Sequence, residues 1–222
     1  MRLPSHRTSY HPNMKLASAI FLTALLAAAN ASARINAVYI DRGLMGPRLP
    51  EAGPLAEPFL EHKLAAQLAE ALRARRIKVL ESANDPDPSA FVQGTLYVSL
   101  SYTRIPEGTA KPERYRGYAL YVSQRDPAFE RSLGCSWHVA HALSQAGEKP
   151  WSNRAGNAST LLDPSGVRGN DALTAPAFVK GPAVFLEAGV MVSEEEVARL
   201  AEPATLQKMA SAIAEGIDNC AL

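Results

Sequence analysis

Apolar residues recur at three- and four-residue spacing in three stretches of the chain: Leu60, Leu64, Ala65, Leu68, Ala71 and Leu72; Leu133, Trp137, Ala140 and Leu143; and Leu206, Met209, Ile213 and Ile217. That spacing lines one side of a helix with 3.6 residues per turn, so each stretch predicts an amphipathic helix. Shorter runs rich in Val, Tyr and Leu, bounded by Gly or Pro, predict strands at 34–41 (R-I-N-A-V-Y-I-D), 77–80, 95–101 (T-L-Y-V-S-L-S), 117–123 (G-Y-A-L-Y-V-S) and 182–188 (P-A-V-F-L-E-A). Strands alternating with helices predict an α/β sheet covered on both faces. Residues 43–54, with three prolines and three glycines, the charged stretch 104–116, and the Gly-, Asn-, Ser- and Pro-rich stretch 150–176 predict loops. Long loops in a compact domain usually shape a binding face.

The first 33 residues break this pattern. They hold Arg2, Arg7 and Lys15 and no acidic residue, an apolar run from Leu16 to Ala29, and then Ala31-Ser32-Ala33. A short positive region, an apolar segment and a small-x-small site make an export signal, with cleavage predicted before Arg34. The apolar run is shorter than the roughly 20 residues a spanning helix needs, so no membrane span is expected once the signal is removed; an uncleaved anchor is the alternative. Met14-Lys15 makes a better signal start than Met1-Arg2, which marks residues 1–13 as an over-extended start. Without the three basic residues of this segment, 20 basic residues face 22 acidic ones. A domain that is nearly neutral lacks the cationic surplus needed to neutralise phosphates, so nucleic acid is not an expected partner.

Export implies a periplasmic or secreted protein in an oxidising compartment. The two cysteines, Cys135 and Cys220, both fall in segments predicted to be helical. They form either one disulfide tying the last helix to an earlier one or two buried thiols.

Four segments, in order, resemble the zinc-dependent N-acetylmuramoyl-L-alanine amidases, which cut the lactyl-amide bond of peptidoglycan. Asp41-Arg42-Gly43-Leu44-Met45-Gly46 matches the family's D-P-G-H-G-G. Glu57 opens the next helix, and Ala74-Arg75-Arg76-Ile77-Lys78-Val79 resembles A-R-G-x-K-V. Leu96-Tyr97-Val98-Ser99-Leu100-Ser101-Tyr102-Thr103 resembles L-F-V-S-I-H-A-N, and the segment from Pro182 to Ser193 resembles P-A-V-L-V-E-L-G-F-L-S-N. Residues 210–217 resemble the closing helix of the family. The resemblance spans nearly all of residues 34–220. With the periodicity, it implies a single three-layer α/β domain, 34–222, with a twisted, mostly parallel sheet of about five to six strands and helices on both faces.

The resemblance also implies where the chemistry would sit, and here the chain departs from the family. The first zinc-ligand histidine falls on Leu44, the second on Ser101, the ligand glutamate on Glu57 and the catalytic glutamate on Glu187. Glu61, one helical turn beyond Glu57, is the alternative to it. Leucine offers no lone pair, and a neutral serine hydroxyl substitutes poorly for imidazole at zinc. No metal is therefore expected, and without one no bound water has its pKa lowered toward neutrality. Glu187 as a general base alone supplies only about 10² to 10⁴-fold. The chain also lacks the family's helix between the second and third strands, a gap bridged by Asp85-Pro86-Asp87-Pro88.

Other readings of single residues compete with this one. His62, His138 and His141 are the histidines after residue 33, and the last two, in W-H-V-A-H, stand at metal-pair spacing on a helix but read as ordinary helix residues. Ser101 has no histidine or G-x-S-x-G elbow to make it a nucleophile. Two carboxylates facing an apolar cleft need a compensating cation or proton; Arg42 and Arg104, flanking the vacated positions, are the candidate cations, with Ser101 beside them as a ligand contact, and the alternative is that Glu187 is simply solvated in an open groove. Lys111, Glu113, Arg114, Tyr115 and Arg116 form a charged loop that either grips a ligand or is simply solvated. The expected function is an exported envelope domain that binds peptidoglycan fragments (muropeptides) or an envelope protein in an inactive amidase cleft. The alternative is an active amidase with non-standard ligands.

Overall fold

The computed structural model describes residues 34–42, 57–81, 91, 94–105, 108–151, 159–173, 175, 177 and 179–220. All of them belong to the compact unit Ala33–Leu222. The predicted export signal, Leu44 and the 85–88 bridge lie outside the described residues, as does the side chain of Glu57.

In chain order the elements are β1 (Ala37–Arg42), α1 (Glu57–Ala74), β2 (Lys78–Glu81), β3 (Thr95–Arg104), a 3-10 turn (Pro112–Tyr115), β4 (Ala119–Val122), α2 (Phe129–Gln145), β5 (Thr160–Asp163), β6 (Val167–Gly169), β7 (Ala183–Met191), α3 (Glu194–Ala201) and α4 (Pro203–Asp218). The strands make one sheet in the order β2-β1-β3-β7-β4-β6-β5. Strands β2, β1, β3 and β7 run parallel, β4 is antiparallel to β7 and parallel to β6, and β5 closes the edge antiparallel to β6. The α/β class and the single, mostly parallel sheet agree with the sequence.

The strand count does not. Seven strands replace the expected five or six, because the predicted loop 150–176 contains β5 and β6. These are four and three residues long, too short to show a period, and a tight turn joins them. The Asp163 carboxylate accepts from the Ser165 backbone N–H at 2.8 Å, and Gly166 takes a left-handed φ of 99°.

The described helices all meet one face of the sheet. Alternation along the strands sends Val38, Ile40, Leu96, Val98, Leu100, Leu120, Val184 and Leu186 to one side, where they meet buried residues of all four helices. The other side carries Tyr39, Tyr97, Ala119, Tyr121, Ala183 and Phe185, and the described residues that cover it, including Phe91, Ile105, Tyr115, Trp151, Leu173 and Val179, come from connecting segments. Among the described residues, connecting segments rather than a helix cover this face.

On the helical side, α1 buries Leu60, Leu64, Leu68 and Leu72 completely. The helix ends in a Schellman turn: Ile77 N–H donates to the Leu72 carbonyl at 3.1 Å and Arg76 N–H to Arg73 at 2.9 Å, with Arg76 at a left-handed φ of 63°. Helix α4 packs so closely on α2 that a Cβ at Gly216 would lie 2.5 Å from the Val139 Cα. Cys135 of α2 and Cys220 beyond α4 are joined as a disulfide at the same junction, their Cα atoms 5.0 Å apart. The buried stripe of α2 is Ser132, Cys135, Ser136, Val139, Ala140, Ala142 and Leu143, whereas Trp137, placed in the stripe by periodicity, is 43% exposed. Two serines take the space, and Ser132 is held there by donating to Asp126 at 2.6 Å and accepting from Ala183 N–H at 2.9 Å.

Candidate functional site

Strand register brings the polar residues of three central strands onto the loop-roofed face. Asp41 of β1 lies beside Ser99 of β3, and Ser101 of β3 beside Glu187 of β7. Residues paired across neighbouring strands point the same way, so the four form a diagonal of side chains across the sheet. Asp41 and Glu187 lie two strands and two residues apart, roughly 12 Å between Cα atoms. That is too far for the two carboxylates to share a proton.

Both acids are buried and each is held by a tyrosine. The Tyr97 hydroxyl donates to Asp41, and the Tyr121 hydroxyl donates to Glu187 Oε2 at 3.3 Å. Burial, followed by the hydrogen bond to Asp41 and its charge, pushes the Tyr97 phenol well above its usual range. The phenol thus stays protonated and remains a donor to the carboxylate. Ser101 is half-buried, and among the described residues its hydroxyl reaches the Leu186 carbonyl, at 3.5 Å. With no imidazole beside it, that hydroxyl has no base to activate it.

A bulge fixes how β7 presents its acid. Ser101 pairs with Glu187 but Tyr102 pairs with Gly189, so Ala188 is the extra residue. Beyond it Gly189 sits against Leu200 of α3, where a Cβ would come within 3.0 Å. Glu187 is thereby kept on the loop-roofed face while the strand bends toward α3.

The other site residues named from the sequence go elsewhere. Arg42 turns to the helical side and its Nη1 lies 2.7 Å from His62 Nδ1. Arg104 also points to that side, with Nη2 3.9 Å from Met191 Sδ. The two arginines proposed to replace a metal's charge are thus on the sheet face opposite Glu187, because each lies an odd number of residues along its strand from Asp41 or Ser101. Glu61 is buried on the helical side as well, its Oε1 accepting from Tyr102 N–H at 3.4 Å. His138 and His141 lie on α2, where His141 stacks on Trp137 at 5.3 Å and contacts Gln145 at 3.1 Å. In the charged loop, Arg116 pairs with the buried Glu196 at 3.0 Å and Tyr115 packs on Trp151 at 5.8 Å, leaving Lys111, Glu113 and Arg114 exposed.

Among the described strand residues, the arginine that shares Glu187's face is Arg168. It pairs in register with Tyr121, is 5% exposed, and donates from Nε to Ser159 at 3.2 Å. It went unnoticed in the sequence because β6 was read as loop, as did Tyr97 and Tyr121, which read as ordinary strand residues.

The donor set of the described residues does not suit zinc. A tetrahedral centre needs nitrogen, sulfur or carboxylate donors converging within about 2.3 Å of one point. Among the described residues no three His, Cys, Asp or Glu groups converge in that way. His62 faces Arg42, Glu61 faces a backbone amide, and Glu187 faces Tyr121.

Residues 38–219 match the family model described as N-acetylmuramoyl-L-alanine amidase. Among solved structures, the amidase Ami1 of Mycobacterium smegmatis superposes with a TM-score of 0.63 at 18% identity, covering 85% of this chain and 98% of that one. The CwlD amidase of Clostridioides difficile, in complex with the GerS lipoprotein, gives 0.61 at 17%, covering 83% and 97%. AmiC2 of Nostoc punctiforme gives 0.54 at 20%, covering 82% and 94%. These likenesses establish the fold. No curated protein sequence matches the chain.

Proposed function

Since the chain belongs to the N-acetylmuramoyl-L-alanine amidase family, we propose that it is an exported envelope member that has given up zinc hydrolysis and binds peptidoglycan fragments on the face carrying Glu187. The observation that carries this reading is the chemistry at the two positions matching the family's ligand histidines. They hold Leu44 and Ser101, neither of which offers a nitrogen donor. The retained acid cannot substitute for the ion. A carboxylate can take a proton, but it does not polarise an amide carbonyl as a bound metal ion would.

What remains on the face is suited to binding. The tyrosine-held carboxylates Asp41 and Glu187, the Ser101 hydroxyl and the buried Arg168 offer hydrogen-bonding groups of the kind an amide- and hydroxyl-rich muropeptide presents in return. An envelope location is supported by the N-terminal signal pattern and by the Cys135–Cys220 disulfide, which persists in oxidising compartments. No helix among the described residues is long and apolar enough to cross a membrane. The CwlD structure shows an amidase of this fold with a protein partner, so an envelope protein is the other ligand class the face could serve.

Incubating the purified chain with defined muropeptides tests the reading, with binding followed by calorimetry and products by mass spectrometry. Saturable binding that leaves the muramoyl–alanine amide intact is expected. Release of the stem peptide would replace this reading with that of an active amidase using non-standard ligands, and failure to bind any muropeptide would leave the protein-partner form.

A further inference from the structure

A second binding feature lies on the same sheet face, at the N-terminal end of β7. A cavity of about 230 Å³ is lined by Ser123, Arg125, Asp126, Pro127, Ala175, Ala177, Val179, Lys180 and Phe185. Its floor is apolar: Phe185 is buried, turning its ring edge to Tyr97 at 6.0 Å, and Pro127, Ala175, Ala177 and Val179 form the walls.

The charges at the rim do not cancel. Both oxygens of Asp126 are committed to starting α2, Oδ1 accepting from Ala128 N–H at 2.8 Å and Oδ2 from the Ser132 hydroxyl at 2.6 Å. Asp171, behind Ser123, is likewise taken up by Gln124 N–H at 2.7 Å and the Ser123 hydroxyl at 3.3 Å. Two cations remain. Lys180 Nζ is fixed at the rim by donating to the Ala177 carbonyl at 2.8 Å, with two further hydrogens to give. Among the described residues no carboxylate pairs with Arg125, whose backbone N–H alone is anchored, to Ser123 Oγ at 3.2 Å.

We propose that this cavity binds a small amphipathic carboxylate, its apolar part on Phe185 and Val179 and its charge between Arg125 and Lys180. An apolar floor with a few placed polar groups at the mouth is the usual build of a small-ligand site, and charge-assisted bonds to a carboxylate are the strong ones. The volume sets the scale at a short chain or single ring. Phe185 is two residues before Glu187 on the same side of β7, roughly 7 Å away, so the cavity neighbours the proposed muropeptide face without depending on it.

Hexanoate is a suitable probe, with hexanamide as its neutral counterpart and inorganic phosphate as a charge without an apolar part. In amide-resonance titrations of the full chain, hexanoate is expected to shift Arg125, Ala177, Val179 and Lys180 saturably, and to bind at least about tenfold tighter than either control. Arg125→Gln with Lys180→Gln, both exposed, is expected to weaken hexanoate about tenfold or more with the thermal midpoint nearly unchanged. Ala175→Leu, which fills the cavity while keeping both charges, is expected to do the same. Equal binding of hexanamide or phosphate, no saturable shift with hexanoate, or full affinity in the double variant would overturn the proposal. None of these results bears on muropeptide binding, so the two readings fail separately.

Discussion

Arg76 illustrates how one residue can be held in an unfavourable place by everything around it. The Schellman turn ending α1 needs a left-handed residue there, and a side chain with a Cβ pays about 1 kcal/mol for that conformation. Arg76→Gly is therefore expected to raise stability by about 0.5–1 kcal/mol, visible as a rise of about 1–4 °C in the thermal midpoint by calorimetry. Individual site residues were only partly legible. The family resemblance brought Ser101 and Glu187 to one site, and strand register sets them side by side. Arg42 and Arg104 were assigned by nearness in sequence to the vacated positions, but an odd offset, one residue from Asp41 and three from Ser101, puts a side chain on the other side of a sheet. The carboxylates' actual partners, Tyr97 and Tyr121, carry no motif; only three-dimensional register pairs them with the acids.

Among the elements, helices α1, α2 and α4 and strands β1, β3 and β7 could be read from periodicity because each buries a long apolar run. β5 and β6 could not, since three or four residues show no period, and α2's stripe was misread because two serines, not Trp137, occupy buried positions. The helical layer is fastened where α2 meets α4, by the absence of a side chain at Gly216 and by the disulfide across 85 residues. A loop of that length, closed in the unfolded chain, is worth about 2–5 kcal/mol. Cys135→Ser with Cys220→Ser should lower the urea-unfolding free energy by that amount. A loss below about 1 kcal/mol would show that close helix packing holds the junction without the bond.

For the molecule as a whole, three tyrosines link the fold to pH. Burial dominates in each. Tyr97 is further raised by Asp41, Tyr102 by Glu61, and Tyr118 by Glu148, and all three phenols lie well above the ordinary value of about 10. The unfolded chain releases these protons near pH 10 and the folded one does not. The stability they contribute is therefore full below pH 10 and is lost as pH rises beyond it. Ultraviolet titration of tyrosinate is expected to show Tyr97, Tyr102 and Tyr118 ionising only together with alkaline unfolding. The fold class was legible in the sequence because strand and helix signals alternate. That the described helices share one face was not, because nothing local records which face a connecting segment covers. The central claim is that an amidase scaffold here works without its metal, and zinc content of the purified chain after exposure to excess zinc and dialysis tests it most directly. The account predicts far less than one zinc per chain; one zinc per chain, removable by a chelator, would contradict it.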